Sequence, residues 1–146
     1  MRVIFKGYEA RDKNACLSLF DENCPEYFAP NERTDFENFL DSDPDEYQLC
    51  ITDNKIVGVF GVMPDVDNSC SIVWIMISAA AQGKGVGTQM MQYALDRAKL
   101  PNVNKIYIAT SHVAFKFFEK FGATIISKTK NGWGPDMHRI DMVIKL

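Results

Sequence analysis

The segment from residue 72 to residue 99 constrains the fold of this chain more than any other. An apolar run, residues 72–77, precedes a glycine-rich stretch at residues 82–87, Gln-Gly-Lys-Gly-Val-Gly, and an amphipathic segment, residues 88–99, follows. This order predicts a strand that enters a tight turn and then opens a helix. Glycines leave the turn's N–H groups uncovered, so these groups and the positive end of the helix dipole can attract one anion. The segment therefore predicts a phosphate site, to which Lys84 adds a mobile positive charge.

Other glycine motifs match this turn less well. The dinucleotide pattern G-x-G-x-x-G fails because Gln89 and Met90 stand where a third spaced glycine is needed, and the P-loop pattern is absent. A dinucleotide-binding fold would also place the turn after its first strand, whereas here it lies past the middle of the chain. A glycine turn without any ligand and a generic nucleotide binder stay open as alternatives.

A second segment, residues 111–123, follows a predicted strand over residues 105–109. Together, the two segments resemble the GNAT acetyltransferase superfamily, whose pyrophosphate motif is [RQ]-x-x-G-x-[GA]. Gln82, Gly85 and Gly87 match that motif at the correct spacing. The family's second motif, roughly N-x-x-A-x-x-F-Y-x-x-x-G-F, is matched at Ala114, Phe117 and Gly122.

The second motif also departs from the family pattern at three positions. Ser111 replaces Asn, Phe118 replaces Tyr, and Ala123 replaces the last aromatic residue. The family commonly uses that Tyr as the acid that protonates the departing sulfur, and Phe cannot donate a proton. A thiol with a pKa near ~8.5 is a tolerable leaving group, so we expect activity without this acid. Ser111, His112 or a water could substitute.

The resemblance implies acetyl-CoA as cofactor and assigns residues to its parts. Main-chain groups of Ile75, Met76 and Ile77 would pair with the amides of the pantetheine arm. The Ser111 hydroxyl would hold the same arm in place of the family's Asn. The turn would bind the diphosphate through Gln82, Gly83, Lys84, Gly85, Val86, Gly87 and Thr88, and Phe117 and Phe118 complete the expected cofactor site.

An amine acceptor needs a base, because a lysine-like amine with a pKa near ~10.4 is mostly protonated at neutral pH. The predicted central strands carry no Asp or Glu, so the candidates lie in loops: Asp136, His138, Asp65 and Glu26. Asp136 and His138 are favoured, since the family's last hairpin borders the acceptor cleft, although a lone His is more often structural. Ser111 is the third candidate for a catalytic role. Trp133, Tyr27 and Phe28 could wall the acceptor pocket or only anchor their loops.

Charge is distributed unevenly along the 146 residues, which carry a net charge of −3. Residues 21–67 contain thirteen carboxylates and two basic residues, whereas residues from 68 onward contain ten basic residues and four acidic ones. The net charge argues against nucleic acid as a partner. An acidic acceptor entrance would attract cationic amines, although these carboxylates could equally do no more than solvate two surface helices.

Composition and pattern predict one α+β domain spanning residues 1–146. No apolar run approaches the length of a membrane span and no secretory signal is readable, so we expect a cytoplasmic protein with no membrane partner. The four cysteines show no C-x-x-C pair and no His at metal-ligand spacing, so we expect reduced thiols and no metal.

The predicted fold is a mixed, mostly antiparallel sheet with helices on both faces. A hairpin turn is expected at Asp53 and Asn54, and Ser111 is expected to cap the helix that ends before Gly122. Strands are predicted over residues 2–5, 47–52, 55–63, 71–78, 105–110, 124–128 and 139–146, and the other helices over residues 11–21, 34–40 and 85–100.

The sequence therefore predicts an acetyl-CoA-dependent N-acetyltransferase that acts on a small-molecule or peptide amine by direct attack in a ternary complex. The alternative is a non-catalytic acyl-CoA-binding sensor, which Phe118 keeps open. The oligomeric state is not readable from the chain, and a homodimer is one option.

Overall fold

A seven-stranded sheet forms the centre of the computed structural model, which describes residues 1–99 and 102–146. The strand order is β1-β2-β3-β4-β5-β7-β6, and every neighbouring pair is antiparallel except β4–β5. The predicted mixed, mostly antiparallel sheet is confirmed. The strands are β1 (Ile4–Gly7), β2 (Tyr47–Thr52), β3 (Lys55–Pro64), β4 (Ser69–Ile77), β5 (Lys105–Ser111), β6 (Thr124–Gly134) and β7 (Met137–Lys145). The α-helices of the described residues are α1 (Lys13–Glu22), α2 (Glu32–Asp41), α3 (Val86–Ala98) and α4 (Phe115–Glu119).

Two hydrophobic cores lie on opposite faces of the sheet. Helices α1 and α2 contribute Phe20 and Phe36 to one core, and α3 contributes Met90 to the other. Leu49 and Cys50, neighbours on β2, belong to different cores, as the alternation of side chains along a strand requires. The predicted placement of helices on both faces is thus confirmed.

The β2–β3 hairpin turn is confirmed at the predicted residues. Asp53 and Asn54 have φ values of 50° and 61°, which is the left-handed conformation that a two-residue hairpin turn requires at both positions. Asn and Asp tolerate this conformation better than other non-glycine residues, because their short side chains bond to the local backbone.

Several predicted positions were wrong, including β1, which lies at Ile4–Gly7 and not at residues 2–5. Helix α2 begins at Glu32, two residues before the predicted start. Strand β6 continues to Gly134, through a segment predicted as a loop, because its pairing with β7 is irregular after Thr129 and resumes at Gly134↔Met137. Ser111 ends β5 and does not cap α4, whose N-cap is Ala114. The predicted end of α3 at residue 100 lies outside the described residues.

A bulge interrupts β4 at Trp74. Val59 pairs with Met76 and Gly61 pairs with Val73, so two residues of β4 oppose one residue of β3. Trp74 itself has a φ of 44°, a strained value for a large side chain. Its carbonyl oxygen accepts a hydrogen bond of 2.6 Å from the hydroxyl of Tyr47, a side chain with no exposed surface.

Strands β4 and β5 separate just before this bulge. Their parallel pairing runs from Ser69↔Lys105 to Ile72↔Ile108 and then stops. Beyond it, β4 stays paired with β3 as far as Ile77, and β5 stays paired with β7 as far as Ser111. The two strands therefore leave a V-shaped gap in the middle of the sheet, where the main chain of β4 loses one of its neighbours.

We predict that Tyr47→Phe lowers the free energy of unfolding by about 1–3 kcal/mol, because the carbonyl of Trp74 loses its hydrogen-bond donor in a buried setting. Denaturant unfolding followed by circular dichroism measures this. The matched control is Tyr107→Phe, which removes a hydroxyl from an exposed ring on β5 and should change stability far less. Equal losses for the two variants would contradict the prediction.

Candidate functional site

A cavity of about 550 Å³ occupies the gap between β4 and β5. It extends from the turn before α3 to the segment that joins α1 to α2, and its volume lies within the usual range for ligand sites. Of the predicted cofactor residues, Lys84 is not part of its lining. The others all line it: Ile75, Met76, Ile77, Gln82, Gly83, Gly85, Val86, Gly87, Thr88, Ser111, Phe117 and Phe118.

The turn before α3 presents a set of unpaired N–H groups. Gly83 and Gly85 have φ values of 75° and 85°, which L side chains rarely adopt, and a Cβ at either position would meet no atom within 4 Å. Helix α3 has no side-chain cap. Among the described residues, the amides of residues 83–88 donate to no other backbone group. These donors and the helix dipole suit an anion such as a diphosphate.

Gln82 has a structural task beside the turn. Its Nε2 donates to the carbonyl oxygen of Ile77 at 3.3 Å. The buried Asn23, at the end of α1, donates to the same oxygen at 3.0 Å and to Leu19 at 2.8 Å. A carbonyl oxygen has two lone pairs, so that of Ile77 is already saturated. Any pairing of a ligand with the main chain at this end of β4 is therefore left to the remaining groups of Ile75, Met76 and Ile77.

Lys84 lies outside the cavity, although the sequence placed it at the phosphate. Its side chain is exposed, and its carbonyl oxygen accepts a hydrogen bond of 3.4 Å from the N-terminal amine. Lys120, just after α4, lines the cavity and brings a positive charge there. Sequence reasoning did not single out Lys120.

Phe117 and Phe118 form the wall that α4 contributes. Their rings meet edge to face at 5.0 Å. Phe117 also packs so closely on α3 that a Cβ on Gly87 would lie 2.8 Å from its Cζ, so the third glycine of the turn makes room for a ring. Phe118 is 3% exposed. Phe118 therefore belongs to the hydrophobic core and also forms part of the cavity wall.

Ser111 lies at the end of β5, on the cavity wall. Its Oγ accepts a hydrogen bond of 3.3 Å from the N–H of Val113, so its own proton stays available for donation. The residue is buried and lines the cavity. It can therefore donate to a ligand that passes between β5 and α4.

Aromatic side chains surround the opposite end of the cavity. Tyr27, Phe28, Trp74 and Trp133 all line it, and the rings of Phe28 and Trp74 are stacked at 6.1 Å. Trp133 is also an anchor, because its Nε1 donates to the carbonyl oxygen of Thr110 at 2.8 Å. The two functions considered for these residues, walling a pocket and holding a loop, coexist in Trp133.

Glu32 faces the same end of the cavity, and sequence reasoning missed it. It begins α2, is 4% exposed, and lines the cavity. Its Oε2 accepts a hydrogen bond of 2.7 Å from the N–H of Ala29. Burial, with a smaller contribution from Asp35, raises the pKa of this carboxyl to about 7 against the lowering effect of the Ala29 N–H. Glutamate is ordinary in the first turn of a helix, so no sequence signal distinguishes it.

The bases favoured by the sequence do not line this cavity. Asp136 occupies the exposed β6–β7 turn with a φ of 59°. His138 lines a separate cavity of about 310 Å³ together with His112, and their ring centroids are 4.6 Å apart. Glu26 and Asp65 are exposed and also lie outside the lining. A catalytic function for any of the four stays a prediction.

The cysteines offer no activated nucleophile. All four are free thiols, and burial raises the pKa of Cys16 and of Cys50 to about 12, which keeps them protonated and unreactive. Residues 1–99 and 102–146 contain no cluster of three or more side chains suited to hold a metal ion. Across the same residues, no helix has the length and apolar character needed to span a membrane.

A family model described as "Acetyltransferase (GNAT) family" matches residues 16–123. The chain belongs to the GNAT acetyltransferase family. The match includes both sequence segments, the V-shaped gap and the unpaired turn at α3. It confirms the resemblance on which the cofactor expectations depend. Comparison with curated proteins gives no match.

Solved structures share the GNAT fold over the whole chain. Ard1 from Thermoplasma volcanium superposes with a TM-score of 0.83 at 13% identity, covering 100% of this chain and 99% of that one. The ribosomal-protein-S18-alanine N-acetyltransferase from Escherichia coli gives 0.79 at 13% identity, with 99% and 94% covered. N-acetylglutamate synthase from Neisseria gonorrhoeae, complexed with coenzyme A and N-acetyl-glutamate, gives 0.76 at 16% identity, with 100% and 35% covered. At these identities the likeness establishes the fold.

We predict that Gly85→Val abolishes coenzyme A binding in calorimetry, because the added side chain would cover the amides at the start of α3. The control is Gly122→Val. Gly122 has a φ of 91° and open space around a Cβ, so it carries the same backbone penalty outside the cavity. Retained affinity in a folded Gly85→Val protein, or equal loss in both variants, would remove the turn from the site.

Proposed function

We propose that this protein is an N-acetyltransferase that transfers the acetyl group of acetyl-CoA to an amine of a small molecule or peptide. The main observation that supports the proposal is a single cleft whose two ends differ in chemistry. One end presents the unpaired amides of residues 83–88 and the other presents aromatic rings, and the unpaired edge of β4 runs between them.

The cleft fits coenzyme A in chemistry as well as in size. The diphosphate meets the amides before α3, and Lys120 adds positive charge. The pantetheine arm carries amides that need an extended backbone, which β4 offers at Ile75 and Met76 where pairing with β5 has stopped. Ser111 adds a hydroxyl donor. The bound cofactor supplies the acetyl thioester, and this chain's groups position it.

Direct attack in a ternary complex agrees best with the side chains at hand. The cysteines are protonated thiols, and the cavity lining holds no Ser–His pair that would make a nucleophile. The amine nitrogen forms a bond to the carbonyl carbon, and the bond from carbon to sulfur breaks. Catalysis then depends mainly on orientation and on N–H groups that polarise the carbonyl oxygen.

The test is release of free thiol. Purified protein is given acetyl-CoA and a panel of primary amines, while thiol is measured with a chromogenic disulfide. We expect amine-dependent thiol release and a product heavier than the amine by one acetyl group in mass spectrometry. Strong thermal stabilisation by acetyl-CoA without thiol release for any amine would favour the sensor alternative. Stabilisation by ATP or NAD at least as strong as that by coenzyme A would favour a nucleotide binder.

A second prediction concerns the missing acid. Phe118→Tyr should leave coenzyme A affinity within about 2-fold and raise turnover by up to about 10²-fold, the lower end of what general acid catalysis contributes. Phe118 is buried against the cavity, so a hydroxyl there points toward the departing sulfur only if the ring keeps its place. Steady-state kinetics measures the change, with Phe121→Tyr as the control outside the cavity. A sharp fall in turnover would mean that the shape of the ring matters more than a proton.

A further inference from the structure

We propose that Glu32 receives the ammonium group of the acceptor and takes its proton before the amine attacks the thioester. The acceptor class that follows is a primary alkylamine that enters as a cation. This assignment depends on the proposed acetyl transfer, and it replaces the bases that the sequence favoured, none of which lines the cleft.

The carboxylate has one oxygen engaged and one free. Its Oε2 accepts the N–H of Ala29. Every fully buried side-chain nitrogen or oxygen in the described part of the chain has a hydrogen-bond partner, and none is found there for Oε1. Oε1 therefore keeps some accessible surface. Because Glu32 lines the cavity, we infer that this surface faces the cavity. A group that is more than nine-tenths buried and lacks a partner for Oε1 is suited to a ligand that donates a hydrogen bond.

The aromatic rings that line the cavity together with Glu32 suit a cation. Tyr27, Phe28, Trp74 and Trp133 line the same cavity, and the faces of Trp and Tyr rings attract ammonium groups, more strongly where water is excluded. An isolated buried carboxylate is costly, so an ammonium ion that binds beside it compensates the charge. Carboxylate and rings together therefore select a primary ammonium group over a neutral alcohol.

Basicity separates Glu32 from an ordinary carboxylate. Burial raises its pKa from 4.5 to about 7, which corresponds to a roughly 300-fold stronger base. An ordinary carboxylate would be too weak a base to deprotonate an alkylammonium ion efficiently, and a base with a pKa near the working pH serves best.

The groups that face Glu32 agree with this function. Asp35, on the same helix, disfavours loss of the proton from Glu32. Cys24 lies in the segment after α1, and the charge of Glu32 helps to raise the pKa of its thiol. Tyr27 and Lys120 are the other titratable groups in the cavity lining. Tyr27 is neutral at pH 7, because the ordinary pKa of a tyrosine is near ~10, and burial and Glu26 raise it further.

The proposed step balances. The ammonium ion gives one proton to Oε1 of Glu32, and the freed lone pair forms the bond from nitrogen to the carbonyl carbon. As the bond from carbon to sulfur breaks, the second proton passes from nitrogen to the thiolate. Glu32 then releases its proton to water. The products are the amide, the free thiol and one proton.

The experiment measures kcat/KM for butylamine against pH in wild type and in Glu32→Gln. Glutamine can still accept the N–H of Ala29 but cannot take a proton. We expect a loss of about 10²–10⁴-fold at pH 7. In wild type, kcat/KM should rise with pH and level off above about 7. In the variant it should continue to rise toward the pKa of the amine, near ~10.4.

Two controls make the result specific. Glu37→Gln makes the same change on the same helix, where Glu37 pairs with Lys13 at 3.0 Å on the surface, and it should keep the wild-type profile. Hydroxylamine, a weakly basic acceptor that is unprotonated at neutral pH, should lose far less activity in Glu32→Gln than butylamine loses. An unchanged rate and profile in a folded Glu32→Gln protein would overturn the proposal.

The remaining outcomes also decide the question. If Glu32→Gln fails to fold, the wild-type dependence of kcat/KM on pH decides the question by itself. A dependence for butylamine that does not level off near pH 7 overturns the assignment. If wild type releases no thiol with any amine, the proposed function fails separately. Binding of butylammonium is then followed by fluorescence, since both tryptophans line the cavity. Binding in wild type that Glu32→Gln loses supports the cation site, and no binding in wild type rejects it.

Discussion

The hydrogen bond from the buried hydroxyl of Tyr47 to the carbonyl of Trp74 supports the feature on which the cleft depends. It stabilises the bulge in β4, and the bulge lies directly after the last pair of the β4–β5 ladder. A regular strand would have continued that ladder and closed the sheet. Burial raises the pKa of Tyr47 well above its usual value, so this donor stays protonated at any ordinary pH. The core on the α1–α2 face, which buries Tyr47, thus compensates the backbone strain at Trp74.

The cleft places opposite polarities at its two ends. Unpaired amides and the helix dipole make the α3 end positive, and Glu32 makes the other end acidic. Ion pairs elsewhere, such as Arg33 with Asp21 at 2.8 Å, are exposed and contribute little to stability. Charges inside the cavity act more strongly on a ligand than these exposed pairs do, because fewer water molecules screen them. Under the proposed function, such an arrangement would orient a cofactor with an anionic tail and an acceptor with a cationic head.

Local sequence predicted that the residues of the glycine turn share a site, and all of them except Lys84 line the cavity, whereas it gave no signal for Glu32. The glycine turn and helix α3 are contiguous in the chain, so their geometry follows from residues that are neighbours. The acceptor end combines the α1–α2 segment, β4 and the β6–β7 hairpin, and Asn31 joins the first of these to the last by donating to the carbonyl of Trp133 at 2.8 Å. Residues that lie so far apart in the chain do not form a recognisable sequence motif. Asp136 and His138 were favoured by position in the family; neither lines this cavity, and their catalytic function stays a prediction.

The sequence by itself determined the order of helices and strands, the hairpin turn at Asp53 and Asn54 and the positive-φ turn before α3, because periodicity and backbone preference act over a few residues. Tertiary structure alone decided which carboxylate faces the cleft. Of the thirteen acidic residues between 21 and 67, packing buries Glu32 in the cavity wall, and this burial raises its pKa. Burial is a property of the assembled fold, and identical side chains differ in chemistry only when the fold gives them different surroundings.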